Sequence, residues 1–186
     1  PLTACLMMEA FRLADFPKGV VNLVSGRGSR AGAELALNPK VAMISFTGST
    51  AVGVSLSQQA LKTVKRISLE LGGKSPCVWL PDLPDYRPAV KPLFNSIFLN
   101  SGQTCTALSR LIVPKARLAE VEKLLQDHVK DYPVGDPFDP KVLIGPMASR
   151  QQFETVKSYI ELGVKEGARL LAGSIPEEPG AHEKGW

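Results

Sequence analysis

Residues 41–71, VAMISFTGSTAVGVSLSQQALKTVKRISLEL, decide how the rest of the chain is read. They open with an apolar run, VAMISF (41–46), break at TGST, pass through a helical pattern over 51–63 and close with a second apolar run, RISLEL (66–71). Short apolar runs bounded by glycine turns suit strands buried on both faces. The intervening pattern predicts a helix with Val52, Leu56 and Leu61 on its inner side. Strand, helix and strand in this order form the unit of a parallel sheet, because parallel neighbours need a crossover between them.

The same rhythm extends both ways. Upstream, Leu2, Leu6, Ala10 and Leu13 predict a helix over 2–14 that ends before Phe16-Pro17. VVNLV (20–24) reads as a strand, SGRGSRAG as the turn after it, and about 30–37 as a short helix. Downstream, strands are expected at 76–80 and 109–114, with a helix over 86–99 between them. A helix over 117–132 follows, carrying Leu118, Val121, Leu124, Leu125 and Val129 at helical spacing. A Pro- and Gly-rich loop, 133–148, is too long for a simple connector and is expected to pack on something. A helix over 149–166 and a strand at 168–173 (ARLLAG) close the pattern. The fold class is therefore α/β, with parallel sheets covered by helices. Gly72-Gly73-Lys74 is the candidate boundary, giving domains 1–73 and 74–186.

Bulk properties narrow the function classes. The chain has 186 residues, 44% hydrophobic and 22% charged, with a net charge of +4, as in ordinary globular sequences. Its basic residues are scattered and no aromatic ladder interleaves with them, so no nucleic-acid partner is expected. No apolar run approaches a membrane span and no leader pattern is visible, so the expected setting is cytoplasmic, without a membrane partner. Opening at Pro1-Leu2-Thr3 and stopping at Lys184-Gly185-Trp186, the chain reads as a piece excised from a larger protein.

The three cysteines, at 5, 77 and 105, form no CxxC pair, and no HxxxH accompanies them. That argues against a disulfide framework and against a metal site. Cys5 and Cys77 are expected as small core residues. Cys105 differs, because its run NSGQTCTAL (100–108) is small and polar and Gly102 permits a turn that most residues resist.

Two glycine corners follow predicted strands, where helix N-termini offer free N–H groups to anions. SGRGSRAG places Gly26, Gly28 and Gly32 one residue wider than the usual dinucleotide fingerprint. In FTGST, Gly48 allows close backbone approach, while Ser49 and Thr50 either cap the next helix or bond a phosphate oxygen. Glu70, between Leu69 and Leu71, is either solvent-facing on an edge or buried with a raised pKa suited to a general base.

FTGST, LELGGKSP and NSGQTC, in this order and spacing, closely resemble the aldehyde dehydrogenase superfamily. PLTA, DFPKGVVNLVSG and IGPMAS look like that family too, so the resemblance covers essentially the whole chain. It implies a partial Rossmann-like cofactor domain followed by part of an α/β catalytic domain. It implies Cys105 as the nucleophile that attacks an aldehyde, and Glu70 as the base that activates water against the resulting thioester. Gly26 and Gly32 match glycines on the adenosine side of the cofactor cleft. Gly48, Ser49, Thr50 and Gly53 match the segment around the pyrophosphate, and Leu71 is a further implied cofactor-binding residue. The implied cofactor is NAD or NADP, the substrate a small-molecule aldehyde, and the assembly a homo-oligomer, dimeric or tetrameric.

The family's oxyanion-hole Asn, its ribose-contacting Lys and the Glu that holds the nicotinamide ribose match nothing in this chain. Taken alone it is therefore expected to be inactive. Acyl transfer to coenzyme A is the rival within the family, and Glu70 disfavours it, because members of that kind usually lack this carboxylate. A cysteine hydrolase would need a partner histidine, and His128 and His182 lie in no motif.

Overall fold

In the 41–71 stretch, β1 (Met43–Gly48) and β2 (Arg66–Leu71) pair in parallel, from Met43 opposite Arg66 to Gly48 opposite Leu71. The crossover is α3 (Thr50–Leu61), capped at its start by Ser49, whose hydroxyl accepts the Val52 N–H at 3.4 Å. Its buried residues are Gly53, Leu56 and Ala60. Val52 and Leu61, expected on the inner side, are exposed instead. The inner stripe is the small-residue one, because α3 sits so close to β2 that a Cβ on Gly53 would lie 2.9 Å from the Leu71 side chain.

This computed structural model describes residues 2–175. His182 lies outside them. The chain divides into two compact units, Pro1–Gly72 and Gly73–Trp186. The first also holds α1 (Leu2–Leu13), a single π-type turn at Gly28–Gly32 and α2 (Ala33–Leu37). The Lys65 ammonium donates to the carbonyls of Asn38 and Val41, the latter at 3.0 Å, tying the turn after α2 to the start of β2.

Two expectations for this unit need correction. VVNLV is not a strand: residues 20–24 are irregular, with Val20 and Val24 largely exposed. An apolar run becomes a strand only where another strand accepts its hydrogen bonds, and none of the described strands pairs with it. Cys5 is not a core residue but exposed, since α1 buries none of its residues in this unit.

The second unit pairs β3 (Pro76–Val78) with β4 (Arg110–Ile112), again in parallel. Between them runs α4 (Arg87–Phe98), and after them come α5 (Leu118–His128) and α6 (Arg150–Lys165). The helix expected over 117–132 is thus shorter, with single 3-10 turns at Lys115–Arg117 and Val129–Asp131. ARLLAG is not a strand. Residues 168–173 are irregular between Gly167 and Gly173, both at positive φ. This segment is held by side chains, with Arg169 paired to Glu122 and the Gln126 amide donating to the Leu171 carbonyl at 3.0 Å.

Trp79, Tyr86, Val90, Leu93, Phe94 and Val121 form the core of this unit. Val90, Leu93 and Phe94 follow helical spacing on α4, and Val121 brings α5 onto them, as its sequence pattern anticipates. The Tyr86 hydroxyl donates to the Leu80 carbonyl at 2.8 Å, and the Arg117 guanidinium stacks 3.7 Å from its ring centroid. Phe94→Ala is expected to cost about 3–5 kcal/mol, whereas Tyr86→Phe loses one hydrogen bond and about 0.5–1.5 kcal/mol. Chemical denaturation of both variants checks the ranking; equal losses would contradict the packing assigned to Phe94. Among the described residues, no helix is long and apolar enough to cross a membrane.

Candidate active site

The cysteine turn owes its shape to backbone conformations that L-residues rarely adopt. Asn100 (φ 51°), Ser101 (φ 58°) and Gly102 (φ 77°) stand consecutively in the left-handed region. Glycine does this freely, but Asn and Ser pay about 1–3 kcal/mol each, so surrounding contacts must hold them. Those contacts are present. The Ser101 hydroxyl donates to the Gly145 carbonyl at 3.0 Å, and the Thr104 hydroxyl donates to the Leu99 carbonyl at 3.0 Å. The Gln103 side-chain oxygen accepts the Ala148 N–H at 2.9 Å. The Pro- and Gly-rich loop 133–148 therefore does pack on something: it is braced against the cysteine turn.

Cys105 is exposed at the end of this turn. The Ala107 N–H closes a turn onto the Thr104 carbonyl at 3.2 Å, so the thiol stands on a tight bend. Its own backbone N–H meets no acceptor among the described residues. Cys77 is half-buried and packed against the core of the second unit. With an alkylating reagent, Cys105 and Cys5 are expected to react ahead of Cys77 in folded material. Mass-spectrometric mapping that found Cys77 labelled first would contradict this burial.

The remaining sequence-derived residues lie in the first unit. Glu70 is exposed on β2, in register with Thr47 on β1. Within this unit its side chain faces solvent. Gly48 ends β1, and a Cβ there would run into the Phe46 ring, so its smallness accommodates that ring. A side chain at Gly53 would run into Leu71, which gives both a packing duty. At the start of α3, Thr50 and Ala51 keep N–H groups with no acceptor among the described residues.

Upstream, Ser25, Gly26, Arg27, Arg30 and Ala31 line an open cavity of about 580 Å³. A Cβ on Gly26 would lie 3.1 Å from that of Ala31, whereas Gly32 has open space around it. The two arginines on this cavity went unnoticed in the sequence, although their charge beside a glycine turn was a usable signal. A positively lined cavity and a helix N-terminus with free N–H groups together suit an anionic dinucleotide. Among the described residues, no group of three His, Cys, Asp or Glu side chains could hold a metal ion.

The profile of the aldehyde dehydrogenase family matches residues 1–186. A 3-succinoylsemialdehyde-pyridine dehydrogenase from a Pseudomonas species is 45% identical over 97% of this chain, which spans 38% of that protein. Among solved structures, aldehyde dehydrogenase C from Pseudomonas syringae, a cysteine-to-alanine mutant complexed with NAD⁺ and octanal, superimposes with a TM-score of 0.93 at 43% identity. That match covers all of this chain and 38% of the other. An NAD⁺ complex of an aldehyde dehydrogenase from Bacillus cereus gives a TM-score of 0.91 at 37% identity, over all of this chain and 37% of that one.

Proposed function

Because the chain belongs to the aldehyde dehydrogenase family, we propose that the protein carrying it oxidises an aldehyde to a carboxylic acid with NAD⁺ or NADP⁺, using Cys105 as the nucleophile. The observation that carries this reading is the braced turn. It has an exposed thiol on a bend whose own N–H meets no acceptor among the described residues, which suits attack on a carbonyl and stabilisation of the oxyanion that forms. The Cys105 thiolate adds to the carbonyl carbon, and the carbonyl oxygen takes the electron pair as a tetrahedral adduct forms.

The residues suited to hold the cofactor are Gly26 and Gly32 with the cavity beside them, and Gly48, Ser49 and Thr50 at the start of α3. Gly53 and Leu71 support that corner by keeping α3 tight against β2. When bound, NAD(P)⁺ supplies the acceptor for the hydride that the tetrahedral adduct releases. Cys105 then carries the acyl group as a thioester. In this proposal the Glu70 carboxylate takes a proton from water, the hydroxide attacks the thioester carbon, and the Cys105 thiolate leaves. A catalytic thiol of this kind works in a reducing compartment, so a cytoplasmic setting belongs to the same proposal.

Acylation of coenzyme A is the alternative, in which a thiol instead of water takes the acyl group. Glu70 favours water. Assay of NAD⁺ and NADP⁺ reduction with a panel of aldehydes, with and without coenzyme A, tests the reading. Steady turnover without coenzyme A supports it, and turnover that requires coenzyme A would replace it. The octanal held by the Pseudomonas syringae enzyme makes medium-chain aldehydes a reasonable start for the panel.

A further inference from the structure

The Gln103 side chain uses both ends of its amide within the second unit. Its nitrogen donates to the Asn100 carbonyl at 3.1 Å, across the left-handed run of the turn. Its oxygen accepts the Ala148 N–H at 2.9 Å, from a residue 45 positions further along the chain. Ala148 is itself well placed as an anchor. The next residue, Ser149, caps α6, its hydroxyl accepting the Gln152 N–H at 3.2 Å. A chain of contacts thus runs from the start of a 16-residue helix, through one amide side chain, to the turn that carries Cys105.

Gln103 also bonds through its backbone, its N–H donating to the same Asn100 carbonyl at 3.1 Å. The Asn100 carbonyl is therefore held twice by one residue. Left-handed conformations at Asn100 and Ser101 are unfavourable for L-residues taken alone. A turn containing them keeps one geometry only when side chains fix it. Ser101 fixes one edge through Gly145, and Gln103 fixes the edge two residues from the thiol.

From this geometry we infer that Gln103 is a positioning residue: it locks the turn that aims the Cys105 sulfur by clamping it to the segment that caps α6. Gln103 acts through the backbone and not on the substrate. The inference rests on Cys105 being the nucleophile. Its kinetic consequence follows from the sensitivity of attack to position, since a misplacement of about 1 Å can cost ~10²-fold in rate.

The test uses the protein carrying this chain, in the variants Gln103→Ala, Gln103→Met and Gln103→Glu. Methionine keeps the length and bulk of the side chain without either hydrogen bond. Glutamate keeps an acceptor for the Ala148 N–H but cannot donate to the Asn100 carbonyl. The first-turnover burst of NAD(P)H should fall ~10²-fold in the alanine and methionine variants, with the aldehyde KM changed by less than ~3-fold. Iodoacetamide labelling of Cys105 should change in rate in the same two variants, and glutamate, which cannot donate to the Asn100 carbonyl, should show the same losses. If alanine lowers folding, methionine gives the same reading on a side chain of native size.

An unchanged burst in the methionine variant would overturn the inference. So would a wild-type burst in the glutamate variant, because that side chain cannot hold the Asn100 carbonyl. Failure of the underlying reading looks different. Cys105→Ala would then retain turnover, whatever the Gln103 variants do.

Discussion

Cys105→Ala is expected to abolish aldehyde oxidation in the protein carrying this chain, by on the order of 10⁶-fold, as is usual when a covalent nucleophile is removed. The expectation follows from what surrounds the thiol. Ser101 and Thr104, the nearest upstream hydroxyls on the same turn, are both engaged as donors, to Gly145 and to Leu99. Neither is free to stand in, and among the described residues no carboxylate or imidazole bonds to either hydroxyl. Cys105→Ser should fail nearly as fully, because a hydroxyl at its ordinary pKa is a poor nucleophile without an adjacent general base. Cofactor binding, measured by calorimetric titration, should survive both changes, since the glycine corners belong to the other unit. An alanine variant that kept more than a few per cent of wild-type turnover would remove Cys105 from the mechanism.

Much of the fold was legible in the sequence, for reasons that differ by element. The strand–helix–strand over 41–71 could be read because its apolar runs, its glycine turn and its Ser49 cap all point to one structure. The β2 strand and α6 came out within a residue or so of expectation. VVNLV and ARLLAG misled for a common reason: apolar composition marks a segment that could pair, while a strand exists only where a partner accepts it. Cys5 misled similarly, because helical periodicity on α1 shows which face could be buried but not that anything covers it.

The cysteine turn was legible in its residue types and not in its wiring. Gly102 marked a turn, but the left-handed Asn100 and Ser101 were not anticipated, although Asn is the non-glycine residue that tolerates that conformation best. The clamp from Gln103 to Ala148 spans 45 positions, and no local pattern encodes a contact of that reach. The expected packing of the 133–148 loop found its object only when Ser101 and Gln103 were seen to hold it.

Glu70→Gln should separate the two halves of the reaction. The amide keeps the size and polarity of the side chain on β2 but cannot take a proton from water. Attack by Cys105 and hydride loss do not need that proton acceptor, so the first turnover should proceed at nearly the wild-type rate. Thioester hydrolysis should slow by ~10²–10⁴-fold, the usual share of a general base. The expected trace is a burst of NAD(P)H equal to one equivalent of sites, followed by a slow steady rate. Mass spectrometry during that slow phase should find the acyl group on Cys105. The exposure of Glu70 in its own unit sharpens the test, because a solvent-facing glutamine on an edge strand should leave stability within ~0.5 kcal/mol. A slow steady rate with unchanged melting is therefore a chemical effect and not a folding one. Wild-type steady turnover in the variant would make Glu70 a surface residue of β2, and acyl transfer to coenzyme A would become the better account of how the thioester is consumed.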